Sequence, residues 1–242
     1  AVVALIAFFA QSCNTGQKAS TGVLTNDAAS AVYVAPGEHD EFYGFFSGGF
    51  SGQVSVYGLP SGRLLKVIPV FSQDAEKGYG YNEETKPMLN TSFGFVPWDD
   101  AHHPELSQTN GETDGRFLFI NGNNTPRVAK IDLTTFETTE IIEIPNSGGN
   151  HSSPFTTENT EYIVAGTRFS VPYPQKDVAI DSYKENFKGM LTFIKMTEDE
   201  HMEIAFQILL PAYDYDLAHS GKGKSHGWTF FTCYNSEEAN TM

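Results

Sequence analysis

"GRFLFINGN" (115–123), running on into "RVAKIDLTTFETTEIIEIP" (127–145), decides the fold. The first piece is an apolar, aromatic-rich strand that breaks at Gly and Asn. The second alternates apolar and polar residues on either side of Thr-Thr-Phe-Glu, the period-two pattern of a hairpin. The same unit recurs. "EFYGFFSGG" (41–49) leads into "QVSVYGLPSGRLLKVIPVF", and "EYIVAGTRF" (161–169) is followed by "MLTFIKMTEDEHMEIAFQILLP". "GWTFFTCYN" (227–235) opens a further unit. No amphipathic helix of three turns is visible. One apolar strand plus a two-stranded hairpin, repeated, reads as the blades of a β-propeller with irregular loops. The competing all-β architecture is a large sandwich, which repeats strands but not this strand-then-hairpin unit.

A propeller closes into a ring to remove its end edges. Four units, the last ending after one strand at Met242, do not close. The expectation is therefore an all-β chain holding a partial, open propeller, clipped from a longer protein. Residues 37–242 are assigned to this incomplete propeller and 14–36 to a small, polar linker. Residues 1–13, "AVVALIAFFAQSC", read as the remnant of a secretory signal, too short to span a bilayer. "AQSC" resembles a bacterial lipobox, which would make Cys13 the lipidated first residue of the mature protein. In an ordinary signal Cys13 is incidental.

Thirty acidic residues against fifteen basic ones give a net charge of −15, which argues against nucleic-acid binding. Two cysteines make no disulfide framework. Cys233 lies in an apolar strand-like run and is expected to be a buried free thiol.

The chemistry concentrates in "PWDDAHHPELS", with His102 and His103 adjacent. They lie in a loop just upstream of the second unit's apolar strand. His151, in "NSGGNHSSPF", lies just upstream of the third unit's strand, the same place one blade on. Loops that lead into the innermost strands gather at one mouth of the central channel, so these histidines can meet. Pro104 biases His103 toward extended backbone, and neighbouring side chains on extended backbone point to opposite faces. The pair therefore suits a cluster in which each imidazole binds a different ion. Asp99 and Asp100 are near enough to orient an imidazole by accepting its other N–H. The bland alternative is a surface loop with solvated histidines.

The remaining histidines are weaker candidates. His39 and His201 read as solvated. His219 and His226 flank "SGKGKS", whose spacing is wrong for a phosphate loop, and His226 is the one placed to line the channel. Tyr234, Asn235, Ser236 and Glu237 in "CYNSEE" offer a carboxylate and carbonyls at a strand end. That suits calcium or an ordinary polar turn.

Taken together, "DEFYGFFSGGFSGQVSVYGLPSGRLLKVIPVF", "DDAHHPELSQTNGETDGRFLFINGNNTPRVAKIDL", "GGNHSSPF" and "TCYNSE" resemble bacterial nitrous oxide reductase, from about residue 37 to 237 and in the same order. The "GGNHSSPF" form and the lipoprotein-like start resemble its clade II branch. The resemblance implies a seven-bladed propeller, of which this chain is roughly the first half, followed by a cupredoxin domain. It implies a four-copper, sulfide-bridged cluster held by seven histidines at the hub, and a dinuclear copper site in the cupredoxin domain. The implied reaction reduces N2O to N2 and water with electrons from a periplasmic donor such as a cytochrome c, in a homodimer. By motif, His102, His103 and His151 match cluster ligands and Asp100 a supporting carboxylate. Tyr234 and Glu237 match calcium ligands. The other four cluster histidines and all cupredoxin ligands would lie beyond Met242, so this segment alone is expected to be inactive. Two other classes fit the bare pattern: an exported propeller that binds a protein or glycan partner, and a propeller enzyme with a single metal.

Overall fold

The computed structural model describes residues 27–213 and 215–233. Its strands group into consecutive antiparallel sheets, and the sheets are the blades of a partial β-propeller. The first is β1 (Phe42–Ser47), β2 (Gln53–Leu59) and β3 (Leu64–Pro69), paired in that order. A small ribbon of β4 (Asn90–Thr91) and β5 (Gly94–Phe95) follows in the connection. The second blade has four strands in sequence order: β6 (Ala101–Thr109), β7 (Glu112–Gly122), β8 (Arg127–Asp132) and β9 (Glu137–Glu143). The third is built from β10 (Asn150–Thr156), β11 (Ile163–Thr167), β13 (Phe187–Met196) and β14 (Met202–Leu210), with the short β12 (Val171–Pro172) also on β13. β15 (Tyr215–Ser220) and β16 (Thr229–Cys233) start a fourth.

Packing between blades explains the sequence pattern. β7 reads Phe-Leu-Phe-Ile without alternation because both its faces are covered. Leu118 and Ile120 join Ala129 and Ile131 in the layer shared with Val54, Val56 and Ile68 of the first blade. Phe117 and Phe119 face the other way, against Ile163, Ala165 and Ile194 of the third. A strand buried on both faces has no polar side to alternate with. β2, by contrast, buries Val54 and Val56 and leaves Ser55 and Tyr57 half-buried, the alternation of a strand with one covered face. The β6–β7 connection is the two-residue Asn110-Gly111, both with positive φ (53° and 77°), which is the hairpin loop that Asn-Gly favours.

The expected three-strand unit is the whole described first blade, and it corresponds to the second, third and fourth strands of the second and third blades. The stretch before them, expected to be a loop, is a strand in the second, third and fourth blades. β6, β10 and β15 are these first strands, and β10 packs against both β6 and β15. Their sequences hide them. β6 and β10 each contain a proline and several polar residues, because a strand near the hub is not sandwiched between two apolar layers. Two other expectations change. The described part of the linker holds one helical turn, α1 (Ala28–Ala31), capped by the Asp27 side chain on the Ala29 N–H. Cys233 is exposed rather than buried, because β16 pairs with β15 alone among the described strands and its side chains stay largely uncovered.

Candidate metal centre

His102 is the second residue of β6 and His151 the second of β10, so successive blades present their imidazoles at equivalent positions. The blades bring three rings into one cluster. Ring centroids lie 5.2 Å apart for His102 and His103, 5.5 Å for His102 and His151, and 5.3 Å for His103 and His151. One nitrogen from each ring falls within 4.8 Å of the others, and all three side chains are half-buried. Among the described residues, this is the group of three or more His, Cys, Asp or Glu side chains placed to share metal.

Neighbouring side chains of a regular strand would diverge. His103 avoids this with a φ of +47°, not the extended backbone expected before Pro104. The register confirms a bulge. His102 pairs with Asn121 and Glu105 with Phe119, so His103 and Pro104 together oppose the single residue Ile120. The extra residue breaks the alternation and lets both imidazoles turn to one side. A left-handed conformation costs a non-glycine residue about 1–2 kcal/mol. Such strain concentrates at functional sites, where surrounding structure holds it in place.

β6 begins from a rigid base. The Ala101 N–H donates to the Gly49 carbonyl of the first blade (2.9 Å). Asp100 is buried, and its Oδ1 lies 2.9 Å from His102 Nδ1. An ionised carboxylate only accepts, so Nδ1 carries the proton and Nε2 keeps the lone pair for a metal. The other oxygen of Asp100 accepts from Asn123 Nδ2 (2.9 Å). Asp99, also expected near an imidazole, does different work. It accepts from the N–H groups of Asn124 (2.9 Å) and Thr125 (3.0 Å) and from the Thr125 hydroxyl, and it faces Arg127 at 3.6 Å. Arg127 is fully buried, donates to the carbonyls of Val96 and Trp98, and lies over the Phe71 ring at 4.9 Å.

β10 is held by neutral groups. The Ser147 hydroxyl donates to the Gly149 carbonyl (3.1 Å) and lies 3.2 Å from Asn150 Oδ1. The Asn121 amide, from the strand beside His102, donates to the Asn150 carbonyl. Gly149 passes so close to the second blade that a Cβ there would sit 2.6 Å from the Asn123 carbonyl oxygen. Sequence reading missed Asn121, Asn123 and Arg127. The signal lay in "NGNNTPR", a polar run directly after a buried apolar strand.

The other candidates do not join the cluster. His39 is exposed. His201 is exposed near Glu140, at 3.5 Å. His219 Nδ1 lies 2.6 Å from the Ser220 carbonyl. His226 is exposed and pairs with Glu158 at 2.7 Å. Cys13, Tyr234 and Glu237 lie outside the described residues, so the lipid-anchor and calcium expectations find neither support nor contradiction in the structure.

No family model matches the chain. Curated proteins do. It is 36% identical over 226 residues to a nitrous-oxide reductase from Pseudomonas fluorescens, covering 93% of this chain and 34% of that one. A nitrous-oxide reductase from Stutzerimonas stutzeri is also 36% identical, over 214 residues, 88% of this chain and 32% of that one. The chain is a relative of the nitrous-oxide reductases. It spans about a third of the length of these curated relatives. Among solved structures it is similar to Kuenenia stuttgartiensis hydrazine synthase, with 17% identity, a TM-score of 0.44, and coverage of 70% of this chain and 38% of that one. That likeness is too loose to bear on function. Among the described residues, no helix is long and apolar enough to cross a membrane.

Proposed function

We propose that this chain supplies three of the ligands of a copper centre in a nitrous-oxide reductase, a periplasmic enzyme that reduces N2O to N2 and water. One observation carries the reading: His102, His103 and His151 converge from two adjacent blades, with donor atoms within 4.8 Å. The donor set fits copper. Imidazole is a good copper ligand, and the nearest carboxylate, Asp100, is turned to the Nδ1 side of His102. When bound, the copper would supply the electrons and a polarisable surface for an inert, weakly coordinating substrate.

The chain's own part is to hold ligands. His102 offers Nε2, with Asp100 fixing its tautomer and ring plane. His103 is turned to the same side by its bulge, and His151 is set from the next blade. The finer reading extends to a four-copper, sulfide-bridged cluster in a seven-bladed ring, fed by a dinuclear copper site in a cupredoxin domain. Calcium on Tyr234 and Glu237, a homodimer, a cytochrome c-like donor and a lipid anchor at Cys13 complete it.

The test is copper content of the full-length protein made with ample copper. Several coppers per chain are expected, with most lost when His102 and His103 are both replaced by Ala. Unchanged metal content in that variant would sink the proposal; a wild type that holds no copper would leave the exported binding module as the better reading.

A further inference from the structure

We propose that Arg168 is a positioning residue for the copper centre, acting through Asn123 and Asp100 on the imidazole of His102. The inference rests on the copper reading above and extends it to a side chain in the next blade.

The geometry is a continuous chain of hydrogen bonds. Arg168 Nη1 donates to Asn123 Oδ1 (2.5 Å), Asn123 Nδ2 donates to Asp100 Oδ2 (2.9 Å), and Asp100 Oδ1 accepts from His102 Nδ1 (2.9 Å). Its polarity is fixed from both ends. A guanidinium only donates and a carboxylate only accepts. An amide side chain between them has a single workable orientation, with its oxygen toward Arg168 and its nitrogen toward Asp100. Without Arg168, the Asp100 carboxylate still selects that orientation, but Asn123 loses the anchor on its oxygen. Asp100 then depends on a more loosely held neighbour to set its rotation, and with it the plane of the His102 ring.

Arg168 also touches the second ligand strand. Its backbone N–H donates to the Gly149 carbonyl (2.8 Å), two residues before His151. The residue therefore bridges the bases of β6 and β10, one through its side chain and the other through its backbone. Its guanidinium is steadied on the Phe169 ring, 4.9 Å from the centroid. A bridge at this point sets the spacing between His102 and His151, which belong to successive blades and are joined along the chain only through the remaining strands of the second.

The experiment compares full-length, copper-loaded wild type with Arg168→Ala, Arg168→Lys, Asn123→Leu and the Arg168→Ala/Asn123→Leu double variant. The readouts are copper per chain, the visible absorption spectrum, and the rate at which a chelator removes copper. Each single loss should leave copper bound but shift the spectrum and speed release about 10-fold, the low end for outer partners of metal-bound histidines. The double variant should be no faster than either single one, because the same chain is cut once. Arg168→Lys should recover part of the effect, since an ammonium still donates to Asn123. Spectra and release rates that match wild type in the single variants, or effects that multiply in the double one, would overturn the inference. If Arg168→Ala does not fold, Arg168→Lys and Asn123→Leu decide it by the same readouts. Wild type that holds no copper, or keeps it without His102 and His103, fails the copper reading itself and takes this inference with it. Wild type that binds copper but is indifferent to Arg168 fails this inference alone.

Discussion

β6 and β10 carry histidines at the same position of successive blades, yet the two strands are secured by different physics. The base of β6 rests on charge: Asp99 against the buried Arg127, and Asp100 on His102. The base of β10 rests on hydroxyl and amide groups, Ser147, Asn150 and Asn121. β6 must also hold a strained, left-handed His103, whereas His151, at an irregularity of β10, does not have positive φ. The stronger clamp goes with the strained ligand. Neutral hydrogen bonds contribute only about 1 kcal/mol each, comparable to the strain. A buried charge pair makes departure from the native geometry far more costly, because it would leave a charge desolvated without its partner.

The comparison breaks most visibly at Arg127. Replacement by Met should destabilise the protein by about 3–5 kcal/mol, since Asp99 would remain buried and uncompensated. Ser147→Ala, at the matching place below β10, should cost only about 1 kcal/mol. Urea unfolding of the two variants checks the contrast. Equal losses would mean that the charged and neutral clamps are equivalent. Next in size is Gly122→Ala. A Cβ at Gly122 would collide with the Asp99 carboxylate and crowd the Thr125 carbonyl, and such overpacking costs about 1–3 kcal/mol. The loss should largely vanish in the background of Asp99→Ala, where the collision is gone; full additivity would place the strain elsewhere.

The third test compares the histidines themselves. At position 103 Gly should be more stable than Ala by about 1 kcal/mol, because only Gly adopts positive φ without a Cβ penalty. At position 151, where φ is not positive, Ala should be more stable than Gly by roughly 0.5–1 kcal/mol. Thermal unfolding of the four metal-free variants gives both differences. The same sign at both positions would mean that the bulge at His103 does not carry the strain ascribed to it.

How much of this was legible beforehand follows from what each strand faces. β7 and the β8–β9 hairpin were readable because burial writes apolar runs and alternation directly into the sequence. The first strands of the blades were not. β6 contains Pro104 and polar residues throughout, and β10 contains Pro154, so neither shows a strand pattern. The meeting of His151 with the histidine pair was legible from their equivalent places in successive blades. The shared facing of His102 and His103 was not, because it depends on a backbone angle that Pro104 argued against. Asn123 and Arg168 were invisible for another reason. They touch across two blades, 45 residues apart in sequence, and a single sequence carries no trace of such a pairing.

The smallest expected effect concerns acid, and it reaches both histidine-bearing hairpins. Asp114 lies in the irregular part of β7 opposite Ser107 and Thr109 of β6. Burial pushes its carboxyl up, but hydrogen bonds from Ser107, Arg116 and Thr109 outweigh this and hold it down at about 2. Glu161, in the turn between β10 and β11, is likewise pushed up by burial and held down at about 2 by Thr157 and Asn159. The ordinary values are 3.8 and 4.5. A carboxyl depressed by folding contributes stability that is fully present above its ordinary value and is lost as pH falls through the folded one. Stability should therefore be insensitive to these groups above pH 5 or so and decline between about 4 and 2. Asp114→Asn and Glu161→Gln should each flatten that decline while lowering the neutral-pH plateau slightly. Because the two turns are clamped alike, the two variants should flatten it by similar amounts. A decline that only one of them changes would show that the hairpins below the two histidine sites, like the strand bases above, are secured by different devices.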